Sequence, residues 1–481
     1  MGTTNCRRAI ALATFVSLTT WVGAASATPT RAGIGDAIRN LDSDHDTAVG
    51  AVQVLQAGGA AAAVAIRDAW PSLSLLARKR AIGALSRLAN VHDAAVDALV
   101  EAARSENESL RKLGLAALRR TAVGGREGLV VLLADPSVGD RAASLLAHTD
   151  PDFAIEPLLV ALARDGGADR RGLRDALTVA VQRAEQPQRE LAAWLRAKPS
   201  SAAVASAALG LSALEAHRDM AAAFIEYALS AASDFPTKWR LLQSAGAAGP
   251  SDEIDRWVRS QLGGPEEWML RQAAVDAITA RGHRGDARGA LSDPYPRVRS
   301  RAATALSGDP DTLVERATLA RRDTWPTVRA EAVGSLRTED DAIPVIVASV
   351  DDSMSVVRTA AIEVLAASAH DQGWERVHRR LRARDEWPQV TRAAIGYVVA
   401  HCRTDAIDAL LRVVMRAAPS NALTDDLNNA ARAIEALRAL ETPEAKAAVE
   451  QLRRTGGVPP TLKMALQQPP PKDSGCAPTG R

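Results

Sequence analysis

The sequence is poor in aromatic residues, in cysteine and in long apolar segments. Phe, Trp and Tyr make up only 3% of the 481 residues, and three cysteines are present. Runs of β-branched residues are also scarce, whereas Ala, Leu and Arg, which favour helices, are abundant. Past residue 27, no stretch approaches the ~20 consecutive apolar residues of a membrane-spanning helix. The composition therefore predicts an all-α protein that does not span a membrane.

Sequence signatures of catalysis are also missing. The chain has no G-x-S-x-G elbow, Walker loop, H-E-x-x-H helix or C-x-x-C pair. Its eight histidines are dispersed, and none lies four residues from another. The acidic segment Asp42–Asp46 has Thr47 and Gln53 where a calcium loop requires Gly and Glu. We therefore expect a non-enzyme with no cofactor and no metal site, although a missing motif does not exclude an enzyme.

Residues 1–27 have the pattern of a cleavable signal peptide. Arg7 and Arg8 give a basic start, Ala9–Ala24 is apolar, and Ala25–Ala27 supplies an A-x-A cleavage site. The expected location is therefore outside the cytoplasm, in the periplasm or the medium. Cleavage removes two of the 59 basic residues and none of the 57 acidic ones, which leaves 57 of each. A neutral chain has no electrostatic reason to bind nucleic acid, so none is expected as a partner.

Cleavage would also remove Cys6 and leave Cys402 and Cys476 as the only thiols. Two thiols in an oxidising compartment can form a disulfide. The alternative is that Cys402 packs within a helix while Cys476 is a free thiol near the C-terminus. The sequence leaves both possibilities open.

Four segments of the C-terminal half align without gaps. Each has Asp, an aliphatic residue five positions later, Ala nine later and an aliphatic residue thirteen later, and three carry Arg six later. The segments are Asp293–Leu306, Asp323–Leu336, Asp352–Leu365 and Asp385–Val398. Spacing by four residues places the small and aliphatic positions on one face of a helix. Asp would cap that helix, and Pro296, Pro326 and Pro388 suit its first turn.

The same register extends through the rest of the chain. Small-and-aliphatic pairs recur from Ala51/Leu55 to Ala433/Leu437, in about thirteen units of roughly 30 residues. The boundaries are poorly defined between Pro151 and Gly264. A second helical run follows each first helix, and stacked helix pairs can share one apolar core. The sequence thus predicts a solenoid over residues 28–454 and a Pro- and Gly-rich, largely unstructured tail over 455–481.

The pattern D-P-x-x-x-V-R-x-x-A-A-x-A-L at Asp293–Leu306 resembles the short bacterial HEAT repeat, a type also found in phycobilin lyases. The resemblance is strong over Glu266–Val398 and moderate over Asp42–Leu146. It implies a right-handed α-solenoid of about 12–13 helix pairs whose second helices line a concave surface. It also implies a scaffold that binds a protein partner, here in the cell envelope or outside the cell. The resemblance names no partner, and the oligomeric state remains open.

The Trp-Pro motif occurs at Trp70, Trp325 and Trp387, and Tyr295 fills the same slot in a further repeat. One interpretation is structural: the ring packs over the joint between consecutive repeats. The other is functional: the rings form an exposed row that binds sugars or a Pro-rich peptide. The position of the motif at a helix start favours the structural interpretation.

The segment Glu375–Arg384 is rich in arginine. If it is the second helix of its repeat, Arg376, Arg379 and Arg380 could contact an acidic partner, although such runs are often solvated helix faces. The predicted function is therefore an exported, non-catalytic scaffold. The alternatives are a carbohydrate- or peptide-binding module of the envelope that uses the Trp-Pro sites, and a phycobilin-lyase-like enzyme or enzyme subunit, which export disfavours.

Overall fold

A computed structural model describes residues 29–164, 170–197, 199–230, 232–265, 267–368, 372–419, 421–454, 458–467 and 476. Over this part of the chain the regular secondary structure is helical and no β-strand occurs. Within the same residues, no helix combines the length and the apolarity needed to cross a membrane. The predicted signal peptide, residues 1–27, lies outside the described residues, as does much of the predicted tail.

The chain divides into two compact units, each a succession of helix pairs. The first unit extends to Ala161 and includes Arg171–Ala184. Its first helices α2, α4, α6, α8 and α10 pack against one another in order, with α3, α5 and α7 in a second layer. The helices are α1 Arg31–Asn40, α2 His45–Ala57, α3 Gly59–Ala69, α4 Leu75–Leu88, α5 Asp93–Arg104, α6 Glu108–Arg120, α7 Val123–Leu132, α8 Gly139–Thr149, most of α9 Pro151–Ala163, and α10 Arg171–Arg183.

The second unit contains Leu162–Arg170 and the chain from Glu185 onward. Its helices are α11 Pro187–Arg196, α12 Ser201–Ser212, α13 Arg218–Leu229, α14 Phe235–Ala245, α15 Asp252–Gln261, α16 Trp268–Ala280, α17 Pro296–Ala305, α18 Leu313–Arg322, α19 Pro326–Ser335, α20 Ile343–Ser349, α21 Ser355–Ala367, α22 Trp374–Arg382, α23 Pro388–Ala400, α24 Ile407–Arg416, α25 Thr424–Ala439, α26 Pro443–Arg454 and α27 Pro460–Gln467. The first helices from α12 through α14, α16, α17, α19, α21 and α23 to α25 contact one another in sequence, and α22 contacts α24 in the second layer.

The predicted helix faces form the core of these repeats. Val298, Ala302 and Leu306 of α17 and its C-cap are fully buried, as are the equivalent residues of the other three aligned segments. Pro296, Pro326 and Pro388 are the first residues of their helices, where a missing N–H costs no hydrogen bond. The predicted fold class, an all-α solenoid of helix pairs, is confirmed.

The second element of each repeat varies more than the sequence indicates. After α16 it is a 3-10 helix, Arg284–Ser292, instead of an α-helix. The second helices α18, α20 and α24 are each preceded by one 3-10 turn, such as Pro310–Thr312. Such turns are common at helix starts, so the predicted second helices are shorter than their apolar pattern suggests.

The expected unstructured tail is wrong for residues 460–467, which form α27. Its Leu462 and Leu466, four residues apart, are buried, and the helix packs on α25 and α26. Two arginines of those helices hold its C-terminal end: Arg438 donates to the Ala465 carbonyl at 2.9 Å and Arg453 to the Leu466 carbonyl at 2.7 Å. Cations stabilise exposed carbonyls at a helix C-terminus, which explains order in a Pro- and Gly-rich segment.

Candidate partner-binding surface

Arginine–carboxylate pairs join consecutive repeats at the starts of α17, α19, α21 and α23. Arg271 donates from Nε and Nη2 to the two carboxylate oxygens of Asp293, at 2.6 and 2.9 Å. Both side chains are almost completely buried. Equivalent pairs follow in the next three repeats: Arg299–Asp323, Arg329–Asp352 and Arg358–Glu386. The aligned arginine of one repeat therefore holds the acidic residue that precedes the next first helix.

Each pair also fixes the backbone that leads into the helix. Asp323 accepts a hydrogen bond from the Trp325 N–H at 2.9 Å, and Arg329 Nη1 donates to the Asp323 carbonyl at 2.8 Å. Burial would raise the pKa of Asp352, but hydrogen bonds from Arg329 and from the Met354 N–H hold it below its ordinary value. These carboxylates are predicted from sequence to cap a helix; their arginine partners were not predicted.

The N-cap residue is large and apolar in five consecutive first helices, from α17 to α25. These residues, called the N-cap row below, are Tyr295, Trp325, Met354, Trp387 and Leu423. None of them accepts a capping hydrogen bond with its side chain, whereas Asp44, Ser74 and Asn107 do so for α2, α4 and α6. A polar cap typically stabilises a helix by about 1 kcal/mol, so the N-cap row forgoes this contribution repeatedly.

The two tryptophans of the row are directed to solvent. Trp325 is 55% exposed and Trp387 is 59% exposed, and neither ring stacks on another ring in the described part of the chain. The structural interpretation, in which these rings pack over the repeat joint, is therefore wrong for both. The physical reason is that the joint already holds a buried ion pair, such as Arg299–Asp323, beneath the helix start.

Trp70 behaves differently from the other Trp-Pro sites. It is only 1% exposed, and α4 begins after Pro71 with Ser74 as a polar N-cap. Arg78 lies over the ring at 5.9 Å from its centroid and donates to the Trp70 carbonyl at 3.0 Å. Trp70 is thus a packing residue and is not available to a partner.

Tyr295 occupies an intermediate position. It is half-buried because its ring stacks on Trp268, with centroids 4.4 Å apart, and Arg297 lies 5.3 Å from the Trp268 centroid. Met354 and Leu423 complete the row, and Leu423 is 71% exposed. Met354 and Leu423 are not aromatic and were not predicted. Met354 lies in the slot that the repeat register defines, two residues after Asp352, whereas Leu423 lies three residues before that slot of its own repeat.

All three arginines predicted to meet a partner pair with a carboxylate of the chain itself. Arg376 and Arg380 on α22 pair with Asp351, Arg380 at 2.7 Å, and Arg380 also reaches Glu386 at 3.4 Å. Arg379 is exposed and lies 3.6 Å from the same Asp351 carboxylate. These contacts tie α22 to the loop before α21, so Arg376 and Arg380 have a structural role.

Cys402 and Cys476 are joined by a disulfide, with Cα atoms 5.4 Å apart. The Cys476 sulfur lies 3.2 Å from the Val399 carbonyl oxygen in α23. The bridge therefore holds Cys476, which belongs to the predicted tail, at the C-terminal end of α23. Trp387 marks the opposite end of this helix.

No protein-family model matches the sequence, and no curated protein matches it. Among solved structures, this chain is similar to one that shows how Kap95p binding induces the switch loops of RanGDP to adopt the GTP-bound conformation. The two chains are 11% identical over 88% of this chain and 74% of that chain, with a TM-score of 0.49. A structure of importin beta is 14% identical over 90% of this chain and 68% of that chain, with a TM-score of 0.46. The karyopherin Kap121p bound to the SUMO protease Ulp1p is 11% identical over 88% of this chain, with a TM-score of 0.48. The match covers 58% of that protein, so this chain spans less than two thirds of its length.

Proposed function

We propose that the protein is an exported HEAT-like scaffold, without catalysis of its own, that binds a protein partner along its N-cap row. The observation that carries the proposal is the run of five N-cap residues that forgo helix capping, four of which, all but Tyr295, leave large apolar side chains exposed. Large exposed aromatic side chains are the residues that most often anchor a protein interface. The HEAT assignment rests on the repeat pattern of the sequence.

The spacing of the row favours an extended segment as the bound element. Packed helices lie about 9 Å apart, so Trp325 and Trp387, two first helices apart, are separated by about 18 Å. An extended chain covers this distance with roughly five or six residues. A partner segment of that length could place one side chain on each tryptophan and one near Met354.

Export is the second part of the proposal. It is supported by the signal-peptide pattern of residues 1–27 and by the Cys402–Cys476 disulfide, since disulfides persist mainly in oxidising compartments. Mass spectrometry of the protein isolated from its source should find a mature chain that begins at Thr28. An N-terminus at Met1 on the bulk of the isolated protein would contradict this part.

The binding surface is tested by removing the rings. We expect Trp325→Ala/Trp387→Ala to lower the yield of a specific partner at least tenfold in quantitative affinity capture. The matched control is Val91→Ala/Val123→Ala, which truncates two exposed apolar residues of the first unit. Exposed substitutions of this kind change stability by about 0.5 kcal/mol or less, so both variants should keep wild-type circular dichroism. Equal capture by wild type and the tryptophan variant would contradict the proposal.

The exposed rings also support a second candidate, a carbohydrate-binding role in the envelope. The flat face of an aromatic ring can stack on the apolar face of a sugar ring, and the exposed rings of Trp325 and Trp387 are accessible for such stacking. Wall polysaccharide should then quench tryptophan fluorescence in the wild type and not in the Trp325→Ala/Trp387→Ala variant. Quenching without any captured protein would favour this candidate over the protein-binding one.

A further inference from the structure

A groove of about 590 Å³ lies between α22 and α24 and is lined mainly by arginine. Arg382 and Arg384 come from the end of α22 and the loop after it, and Arg412 and Arg416 from α24. The other lining residues are Leu411, Met415, Pro419 and Asp426. This set is called the arginine groove below.

Within the described part of the chain, carboxylates offset the positive charge of the groove only in part. Arg382, Arg384 and Arg412 are exposed and form no ion pair with any described residue. Asp426 is the single carboxylate in the lining, against four guanidinium groups. Elsewhere in the second unit, arginines such as Arg329 are paired with carboxylates. Single exposed arginines without an ion pair to a described residue, such as Arg392 and Arg432, also occur in these repeats, but the groove gathers four arginines around one cavity.

Arg416 shapes the groove and shows its electrostatic character. Its Nη2 donates to the Ala383 carbonyl at 2.7 Å, which ties the loop that carries Arg384 to α24. Burial lowers the pKa of Arg416; the carboxylates of Asp426 and Asp385 oppose this shift, and Arg384 adds to it. His378 on α22 responds in the same way: burial lowers its pKa, and Arg382 adds to the shift. Exposed guanidinium groups gathered around one cavity make it electrostatically suited to an anionic ligand.

The lining favours an acidic protein segment over nucleic acid. Leu411, Met415 and Pro419 provide an apolar wall, and Met adapts readily to an irregular apolar side chain. None of the residues that line the groove in the described part of the chain is aromatic, so bases would have no ring to stack on. Arg384 lies three residues before Trp387, which places the groove beside the N-cap row.

We propose that the arginine groove binds an acidic segment of the partner protein, with carboxylates paired to Arg382, Arg384 and Arg412 and an apolar side chain against Leu411 and Met415. The inference rests on the proposed function, because it specifies the chemistry of the partner that the N-cap row binds. Guanidinium groups suit this role, since they pair with carboxylates through two parallel hydrogen bonds.

The probe for the test is a fluorescein-labelled oligo-glutamate peptide with one central leucine, followed by fluorescence anisotropy with the full mature chain. We expect wild type to bind it and Arg384→Ala/Arg412→Ala to bind it roughly tenfold more weakly or worse. The matched control is Arg392→Ala/Arg432→Ala, which removes two exposed arginines from α23 and α25 and should leave the affinity unchanged. The variant Arg384→Lys/Arg412→Lys keeps the charge and should recover part of the affinity.

Three results would overturn the inference. They are failure of wild type to bind the peptide, an equal loss in the control variant, and tighter binding of a labelled oligothymidine than of the peptide, which would assign the groove to nucleic acid. The two proposals also fail separately. If capture of a partner depends on the tryptophans but the peptide does not bind, only the proposal for the arginine groove is refuted. If the peptide binds through the arginines but capture does not depend on the tryptophans, only the proposal for the N-cap row is refuted.

Discussion

At the scale of single residues, an arginine–carboxylate pair lies at each joint between consecutive repeats from α16 to α23. Arg329 of one repeat reaches the Asp352 carboxylate of the next, at 2.8 and 2.9 Å, and its Nη1 holds the backbone of its own repeat. This pair occupies the joint, so the side chain at the N-cap is directed outward. The exposure of Trp325 follows in the same way from the Arg299–Asp323 pair, which lies at the start of its own helix, α19.

Breaking one of these pairs should be costly. We expect Arg329→Ala to lower the free energy of unfolding by about 3 kcal/mol, because it leaves the buried Asp352 carboxylate without its guanidinium. The control is Arg301→Ala, whose pair with Asp276 is exposed and should contribute about 0.5 kcal/mol. Urea denaturation followed by circular dichroism measures both. Equal losses in the two variants would contradict a structural role for the buried pair.

The repeat spacing predicts where the N-cap residues lie but not the direction of their side chains. The Asp, Pro and Arg positions were visible because they repeat at constant spacing. The spacing does not predict the direction of the Trp325 and Trp387 side chains, because this direction depends on an arginine contributed by the preceding repeat. In the fourth segment the pairing residue is Glu386 rather than the aligned Asp385, since Arg358 reaches the neighbouring carboxylate. A one-residue shift of this kind has no signature in the spacing.

At the scale of elements, the first helices follow the sequence closely while the second elements do not. First helices carry apolar residues at intervals of four on a buried face. Because several residues of each helix follow this spacing, the sequence predicts these helices well. Second elements are interrupted by 3-10 turns, and one consists of the 3-10 helix Arg284–Ser292. The ordered α27 was not predicted, because its stability comes from contacts with α25 and α26 and from Arg438 and Arg453.

The attachment of α22 to the loop before α21 predicts a specific pH dependence. Burial would raise the pKa of Asp351, but hydrogen bonds from Arg380 and Arg376 lower it below the ordinary 3.8, with Arg379 adding to the effect. A carboxyl whose pKa is lower in the folded state stabilises the fold above its unfolded pKa. This contribution is lost as the pH falls through the folded value.

We therefore expect the wild-type free energy of unfolding to fall from about pH 4 downward more steeply than that of Asp351→Asn. The asparagine has no proton to gain, so it lacks this part of the slope. Urea denaturation at a series of pH values measures the difference. Parallel curves for the two proteins at acid pH would contradict the assigned role of Asp351.

At the scale of the whole molecule, composition and period were enough to predict an all-α solenoid of stacked pairs. They could not predict which surface is functional, because residues 28–481 contain equal numbers of basic and acidic residues. What distinguishes the second unit is local: five apolar N-caps and one arginine groove, both within the last repeats. Such features depend on the exposure of individual side chains, which periodicity does not encode.

The disulfide provides a test of how the C-terminal end is held. Cys402 and Cys476 are separated by 74 residues, and a cross-link over such a loop stabilises a fold by about 4 kcal/mol in the chain-entropy description. We expect reductant to lower the urea midpoint of the wild type toward that of Cys402→Ser/Cys476→Ser and to leave the double variant unchanged. A wild-type midpoint insensitive to complete reduction would contradict this contribution.

The central claim, that the N-cap row contacts a protein partner, is tested most directly by site-specific photocrosslinking in the native cells. A photoreactive phenylalanine analogue would replace Trp325, Trp387 or, as the control, the exposed Val91 of the first unit. We expect one and the same crosslinked protein from positions 325 and 387, identified by mass spectrometry, and none of it from position 91. Crosslinks to that protein from position 91 alone, or no crosslinked protein from positions 325 and 387, would contradict it.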